Sequence, residues 1–210
     1  DDDLSRGLGD VYKRQIQVDG QPNHAGTTPM TLRQDALVAA SRIVLAVEAM
    51  ARQHPGDPVA TVGRLEVWPN AANVVPGSVA LTVDLRDVSS AVLDQLVAEL
   101  MQQLERIGVE TGCPIQLEPQ FEVAPTAAAG GVMAAIASAA KDLELSFSQL
   151  PSRASHDAQE IGRRWPMGMI FVPSRGGLSH SAKEFTSDEQ CWAGTAVLLE
   201  TLQRLDRDLP

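Results

Sequence analysis

Four histidines occur in the 210-residue chain, and three of them lie in loops rich in Gly, Ser, Thr or Asp. His24 falls within Asn23-His24-Ala25-Gly26-Thr27-Thr28-Pro29-Met30, between an alternating segment and a long amphipathic one. Loops held between rigid elements are where catalytic groups concentrate. An exposed loop histidine is the plain alternative. His180, in Gly177-Leu178-Ser179-His180, suits a metal ligand because neutral imidazole is a good zinc donor; a hydrogen-bonding loop residue is the alternative. His156 adjoins Asp157, and a carboxylate can orient an imidazole or itself hold a metal, although a polar helix start reads equally well.

Two further residues have recognition chemistry. Arg86 stands on the polar face of a period-2 segment, where its planar fork could hold a carboxylate through charge-assisted bonds. A surface arginine paired with Asp84 or Asp87 would look the same. Asn73 precedes Val74-Val75-Pro76-Gly77 and is, on the plain reading, a turn residue. His54, between Gln53 and Pro55, reads as a surface loop. No Ser/His/Asp triad order, phosphate-binding glycine loop or Cys/His zinc spacing is present.

The elements that must position these residues follow from periodicity. Ile16 and Val18 mark a short strand. Thr28 with Pro29 reads as the start of a helix carrying Leu32, Ala36, Ala40, Ile43, Val47 and Met50, ending near Arg52. Val62–Trp68 is a strand, and Val79, Leu81, Val83 and Leu85 alternate cleanly with polar neighbours in the next. A second helix enters at Ser89 or Ser90 and carries Leu93, Leu96, Leu100, Leu104 and Ile107. Ile115–Val123 closes the series. The order from Ile16 to Val123 is β-α-β-β-α-β, the ferredoxin-like α+β pattern.

Beyond Pro125 the character changes. Ala127–Ala140 is a small-residue helical run. Ser155-His156-Asp157 leads into a short helix. Met167–Val172 is continuously apolar, as expected of a strand buried on both faces. It runs into the His180 loop, the kind of strand end where α/β ligand sites gather. A last helix follows, with Thr186 and Glu189 spaced as a capping box. This part reads as the C-terminal portion of an α/β domain. The opening Asp1–Gln15 has no period and reads as a disordered or non-native leader. The expected domains are therefore 1–15, 16–125 and 126–210.

Composition narrows the partners. A formal net charge of −10 argues against nucleic acid or an anionic membrane. No apolar run has the length of a membrane span. Two cysteines, Cys113 and Cys191, build no disulfide framework, so a reducing, cytoplasmic setting is the default.

The His24 segment, with Arg33 and Asp35-Ala36-Leu37 after it, closely resembles the signature of a two-metal amidase and metallopeptidase family. That family contains N-carbamoyl-L-amino-acid hydrolases, allantoate amidohydrolase and β-ureidopropionase. The resemblance continues through Thr61-Val62-Gly63-Arg64-Leu65, Asn73-Val74-Val75-Pro76-Gly77 and Val83-Asp84-Leu85-Arg86. It returns at His156-Asp157-Ala158, Met169–Ser174 and Gly177-Leu178-Ser179-His180.

It implies a zinc-dependent amidohydrolase cleaving a linear C–N bond of a carbamoyl or ureido acid. An aminoacylase or dipeptidase, or a non-catalytic dimerising module, is the alternative. It further implies that the ferredoxin-like part is a lid and dimerisation domain inserted in a catalytic α/β domain. His24 would then reach into the partner subunit's site and stabilise the oxyanion. Asn73 and Arg86 would hold the substrate carboxylate, Ser155 and His156 would line its pocket, and His180 would bind zinc. Two zinc ions, or manganese, are the implied cofactors, and a homodimer is the implied assembly. Two departures stand out. Ser152-Arg153-Ala154-Ser155 replaces the usual Ser-Gly-Ala-Gly, and the family's other metal ligands and general base, which lie upstream of the lid, are not in this sequence.

Overall fold

Alternating and helical patterns both find partners in the computed structural model, which describes residues 7, 8 and 10–208. In chain order the elements begin with β1 (Gly7–Leu8), β2 (Asp10–Asp19), β3 (Asn23–His24), α1 (Ala36–Gln53) and β4 (Val59–Trp68). They continue with β5 (Val74–Val75), β6 (Ser78–Asp87), α2 (Ser90–Thr111), β7 (Ile115–Val123) and β8 (Thr126–Ala127). The helices α3 (Gly130–Asp142), α4 (Asp157–Gly162) and α5 (Asp188–Asp208) complete the series. They fall into two units. One comprises residues 10–125 with Arg153–Ser155, the other residues 7–8, Thr126–Ser152 and 156–208.

The first unit is α+β. Its four-stranded sheet has the order β4-β6-β2-β7, every pair antiparallel. Strict alternation in β6 buries Val79, Leu81, Val83 and Leu85 and leaves Asp84 and Arg86 half-buried on the other face. The inward strand residues share one core with Ala40, Ile43 and Val47 of α1 and Leu93, Leu96, Leu100 and Ile107 of α2. Burying one such leucine or isoleucine is worth ~1.5–3 kcal/mol. Both helices therefore earn their place from one apolar stripe apiece.

Four sequence expectations need correction. The leader does not extend to Gln15: Asp10–Gln15 is the first half of β2, paired residue by residue with β6. The pattern hides this because Arg14 occupies a position on the same face as Ile16 and Val18. Its charge is held there by Glu122 and its guanidinium lies 4.9 Å from the Tyr12 ring centroid. Residues 1–6 and 9 lie outside the described residues.

Helix α1 does not begin at Thr28-Pro29. Those residues lead into a single 3₁₀ turn, Met30–Leu32. Asp35 is the true N-cap: its Oδ1 accepts from the amides of Leu37 (3.0 Å) and Val38 (3.1 Å).

In the second unit, α3 packs on α5 around Ala139, Ala140 and Val197. Met167–Val172 is not a strand among the described residues. A strand needs ladder partners, and here Ile170, Phe171 and Val172 line an open apolar cleft of about 830 Å³ instead, with Phe171 50% exposed. The capping box of α5 is Ser187 with Gln190, one residue later than expected. Ser187 Oγ accepts from the Gln190 amide, and Gln190 Oε1 accepts from the Ser187 amide. Among the described residues no helix is long and apolar enough to cross a membrane.

Candidate functional site

The His24 loop is built by hydrogen bonds within the first unit. Strand β3 pairs antiparallel with β5, His24 opposite Val74, and the Ala25 amide donates to the Asn73 carbonyl at 2.9 Å. Residues far apart in the chain, His24 and Asn73, are thus brought to one short ladder, and both are exposed. Below His24 the chain closes a tight turn. The His24 carbonyl accepts from the Thr28 hydroxyl (2.7 Å) and the Thr28 amide (3.2 Å), and Asn23 Oδ1 accepts from the His24 amide (2.8 Å).

The imidazole is fixed as well. Gly26 N–H donates to His24 Nδ1 at 3.0 Å, so in the neutral ring the proton sits on Nε2. Glycine suits position 26 because a Cβ there would come 3.2 Å from His24 Cε1. The Nε2–H, free of that turn, is a donor aimed away from it, which is what polarising a carbonyl requires. The same bond from the second following amide occurs at His54, from Gly56 at 3.1 Å. It is a local turn device, then. What sets His24 apart is its ladder with Asn73 and the side chain that clasps its turn, that of Arg33.

Arg33 is half-buried and donates from Nη2 to the Ala25 carbonyl (2.6 Å) and from Nε to the Thr28 carbonyl (3.1 Å). Arg86 uses the same edge on a carboxylate. Its Nε reaches Asp84 Oδ1 at 2.7 Å and its Nη2 reaches Asp84 Oδ2 at 3.0 Å, while Nη1 points to the Arg153 carbonyl at 3.4 Å. The hydrogen bond to Asp84 raises the Arg86 pKa above its ordinary value, against the opposing effect of burial. The guanidinium stays charged, and the Nη1/Nη2 end keeps N–H groups that Asp84 does not use. Beside it, buried Asp87 accepts from the Ser89 amide through Oδ1 and faces Arg153 Nε at 3.9 Å through Oδ2. Ser155, exposed, ends this Arg153–Ser155 segment.

The second unit holds the remaining candidates. His156 is the N-cap residue of α4, its amide donating to Gln159 Oε1 at 3.1 Å. Its ring is half-buried, with Nε2 at 3.1 Å from Ser152 Oγ and the Phe171 ring edge-on at 5.6 Å. His180 is exposed and takes the left-handed backbone conformation, φ 53°, which is uncommon for a residue with a Cβ. Its amide donates to Glu184 Oε2 at 2.9 Å. Among the described residues, no group of three His, Cys, Asp or Glu side chains could hold a metal ion. The donors among the described residues do not by themselves fit a metal pair.

Two framework residues escaped the pattern reading. Arg33 makes its contacts with backbone carbonyls, which leave no mark in a sequence pattern. Asp84 stands two residues before Arg86 on one strand face, a spacing that by itself puts their side chains together.

An antiparallel α+β unit bearing His24 and Arg86, and a second unit bearing His156 and His180 on loops, define a two-unit α+β chain with its candidate groups divided between the units. Residues 18–204 match Peptidase family M20/M25/M40, and the chain belongs to that family. It is 36% identical over 190 residues to the allantoate amidohydrolase of Bacillus subtilis (strain 168), covering 90% of this chain and 46% of that one. It is 37% identical over 199 residues to the N-carbamoyl-L-amino acid amidohydrolase of Geobacillus stearothermophilus, covering 95% and 48%. In structure it is similar to an amidase of the hydantoinase/carbamoylase family from Burkholderia multivorans. The TM-score there is 0.88 at 36% identity, over 94% of this chain and 48% of the other. The chain spans about half the length of the relatives it matches.

Proposed function

We propose that the enzyme to which this chain contributes is a zinc-dependent amidohydrolase. It would cleave a linear C–N bond of an N-carbamoyl amino acid or an allantoate-like ureido acid. The observation that carries this reading is the His24 Nε2–H, left free by the Gly26 bond to Nδ1 and held near Asn73 by the β3–β5 pairing and the Ala25 amide's bond to the Asn73 carbonyl. The activities for which the 36–37% identical relatives are named support the substrate class.

In this reading the unit of residues 10–125 is a ferredoxin-like lid and dimerisation domain, supported by its β-α-β-β-α-β order and the strand order β4-β6-β2-β7. The second unit is the C-terminal part of the catalytic α/β domain. His24, offered to the partner subunit's site in a homodimer, hydrogen-bonds the scissile carbonyl oxygen and gains strength as that oxygen becomes anionic. The free end of Arg86, with the Asn73 side chain, holds the substrate carboxylate. Ser155 and His156 line the pocket. His180 supplies one ligand to a metal pair whose other ligands lie outside this chain. Bound there, such a pair would supply an activated water. Two free cysteines support a cytoplasmic setting.

The test is an assay of the enzyme completed with its upstream half, on N-carbamoyl amino acids, allantoate, N-acyl amino acids and dipeptides. Chelator-sensitive ammonia release from the first two is expected. Turnover of N-acyl amino acids or dipeptides alone would transfer the enzyme to the aminoacylases or dipeptidases. Dimers without turnover or metal affinity would leave only a dimerising module.

A further inference from the structure

We propose that Arg33 is a positioning residue that sets the tautomer and aim of His24; this rests on the role assigned to His24 above. Four contacts link the Arg33 side chain to the His24 ring. The Arg33 fork spans the turn, Nη2 on the Ala25 carbonyl at 2.6 Å and Nε on the Thr28 carbonyl at 3.1 Å. Between those two carbonyls lies Gly26, whose N–H donates to His24 Nδ1 at 3.0 Å. The turn's other fastening is the His24 carbonyl, which takes the Thr28 hydroxyl at 2.7 Å. Clamping both ends of residues 25–28 therefore fixes the direction of the Gly26 N–H, and that N–H decides which ring nitrogen keeps the proton.

The short 3₁₀ turn Met30–Leu32 now has a purpose. It folds the chain back so that Arg33 overlies a turn only five to eight residues before it. His54 provides the internal contrast, since it has the same amide-to-Nδ1 bond and, among the described residues, no arginine fork across its turn. A planar guanidinium can hold two carbonyls at once through adjacent N–H groups. An ammonium cannot reproduce that geometry, so lysine is a meaningful substitution here.

The test uses Arg33→Lys, with Arg33→Gln as a second variant that reaches only one carbonyl. Two readouts are taken: the His24 ring tautomer and Gly26 amide exchange by ¹⁵N NMR of this chain, and kcat and KM of the enzyme completed with its upstream half. The expected result is a single Nε2-protonated ring in the native chain. In both variants mixed tautomers and at least ~10-fold faster Gly26 exchange are expected, with kcat down ~10–100-fold and KM within about twofold. Unchanged tautomer and exchange in variants that retain amide protection in β2 and β6 would overturn the proposal. The same holds if KM alone rises. His24→Gln separates the two readings. If it also leaves kcat intact while Arg33→Lys scrambles the ring, His24 is not catalytic but the clasp stands. If it abolishes turnover while Arg33→Lys changes nothing, the clasp fails and the role of His24 survives.

Discussion

Arg86 grips Asp84 side-on, with two hydrogen bonds of 2.7 and 3.0 Å between residues two apart on one strand face. The pair settles which edge of the guanidinium is committed and which is free. It also converts a flexible cation into a rigid one, since Asp84 holds the guanidinium plane while Nη1 and Nη2 keep N–H groups that neither Asp84 nor the Arg153 carbonyl uses.

Arg86→Lys in the completed enzyme should raise KM for a carbamoyl amino acid about tenfold or more, since each charge-assisted bond is worth ~1.5–3 kcal/mol. Asp84→Asn, which keeps the shape but loosens the grip, should raise KM in the same direction by a smaller factor. Steady-state kinetics on the two variants checks both. An unchanged KM in Arg86→Lys would remove Arg86 from the site.

How far the fold could be read depended on whether burial was one-sided and locally satisfied. Strand β6 and helix α2 have a single apolar face each, so Val79–Leu85 and Leu93–Ile107 announced themselves. The first half of β2 stayed hidden because Arg14 sits on the core-facing side, tolerable only with Glu122 from a strand over 100 residues away. Thr28 looked like an N-cap by composition, yet its hydroxyl is spent on the His24 carbonyl. Met167–Val172 has the composition of a buried strand, but strand formation depends on neighbours that no local pattern contains. At the site, the types of His24, Arg86 and His180 were visible, whereas the ladder joining His24 to Asn73 is a tertiary fact.

The Arg14–Glu122 pair makes the corrected start of β2 testable. Arg14 is 5% exposed, so removing Glu122 leaves a desolvated cation without a counter-charge, held only by the Tyr12 ring and the Lys13 carbonyl. Glu122→Ala should cost about 1–2 kcal/mol in urea unfolding of this chain, a modest figure because Glu122 itself is half-exposed. The double variant Arg14→Met with Glu122→Leu should recover most of the loss. If Glu122→Ala were neutral, the pair would not be holding the strand.

The two thiols should behave differently. Cys113 is buried in the core of the first unit while Cys191 is exposed. A thiol reagent should titrate one group quickly in the native chain and two after denaturation. Burial raises the Cys113 pKa above its ordinary value, so the folded state keeps the proton longer than the unfolded chain does. This contribution is therefore intact below the ordinary thiol pKa and is lost as pH rises through the raised one. Cys113→Ala should therefore flatten the alkaline side of the stability profile, measured by urea unfolding between neutral pH and pH ~10. An unchanged alkaline slope would show that Cys113 does not titrate differently on folding.

The N-cap of α1 offers a local check. Asp35 Oδ1 serves two amides at the first turn, so Asp35→Ala should cost ~1 kcal/mol, and Asp35→Asn or Asp35→Ser much less. Thr28→Ala should leave α1 unaffected, because Thr28 does not cap it. Equal losses in Thr28→Ala and Asp35→Ala would restore the earlier helix start.

His180 combines backbone cost with the chemistry of a donor. A side chain at φ 53° is held against its preference, at a cost of ~1 kcal/mol that glycine would not incur. His180→Gly should therefore leave the stability of this chain unchanged or slightly higher, despite losing an imidazole. Its metal consequence should appear only when the rest of the ligand set is supplied. Among the described residues no three donors converge, so calorimetric titration of the isolated chain should show no stoichiometric zinc binding, and no metal-dependent hydrolysis of N-carbamoyl amino acids. In the completed enzyme the same substitution should lower zinc occupancy and turnover together. Stoichiometric zinc on the isolated chain would mean that its own side chains form a metal site after all. Full zinc occupancy in the completed His180→Gly enzyme would mean that the unfavourable φ of His180 serves something other than ligation.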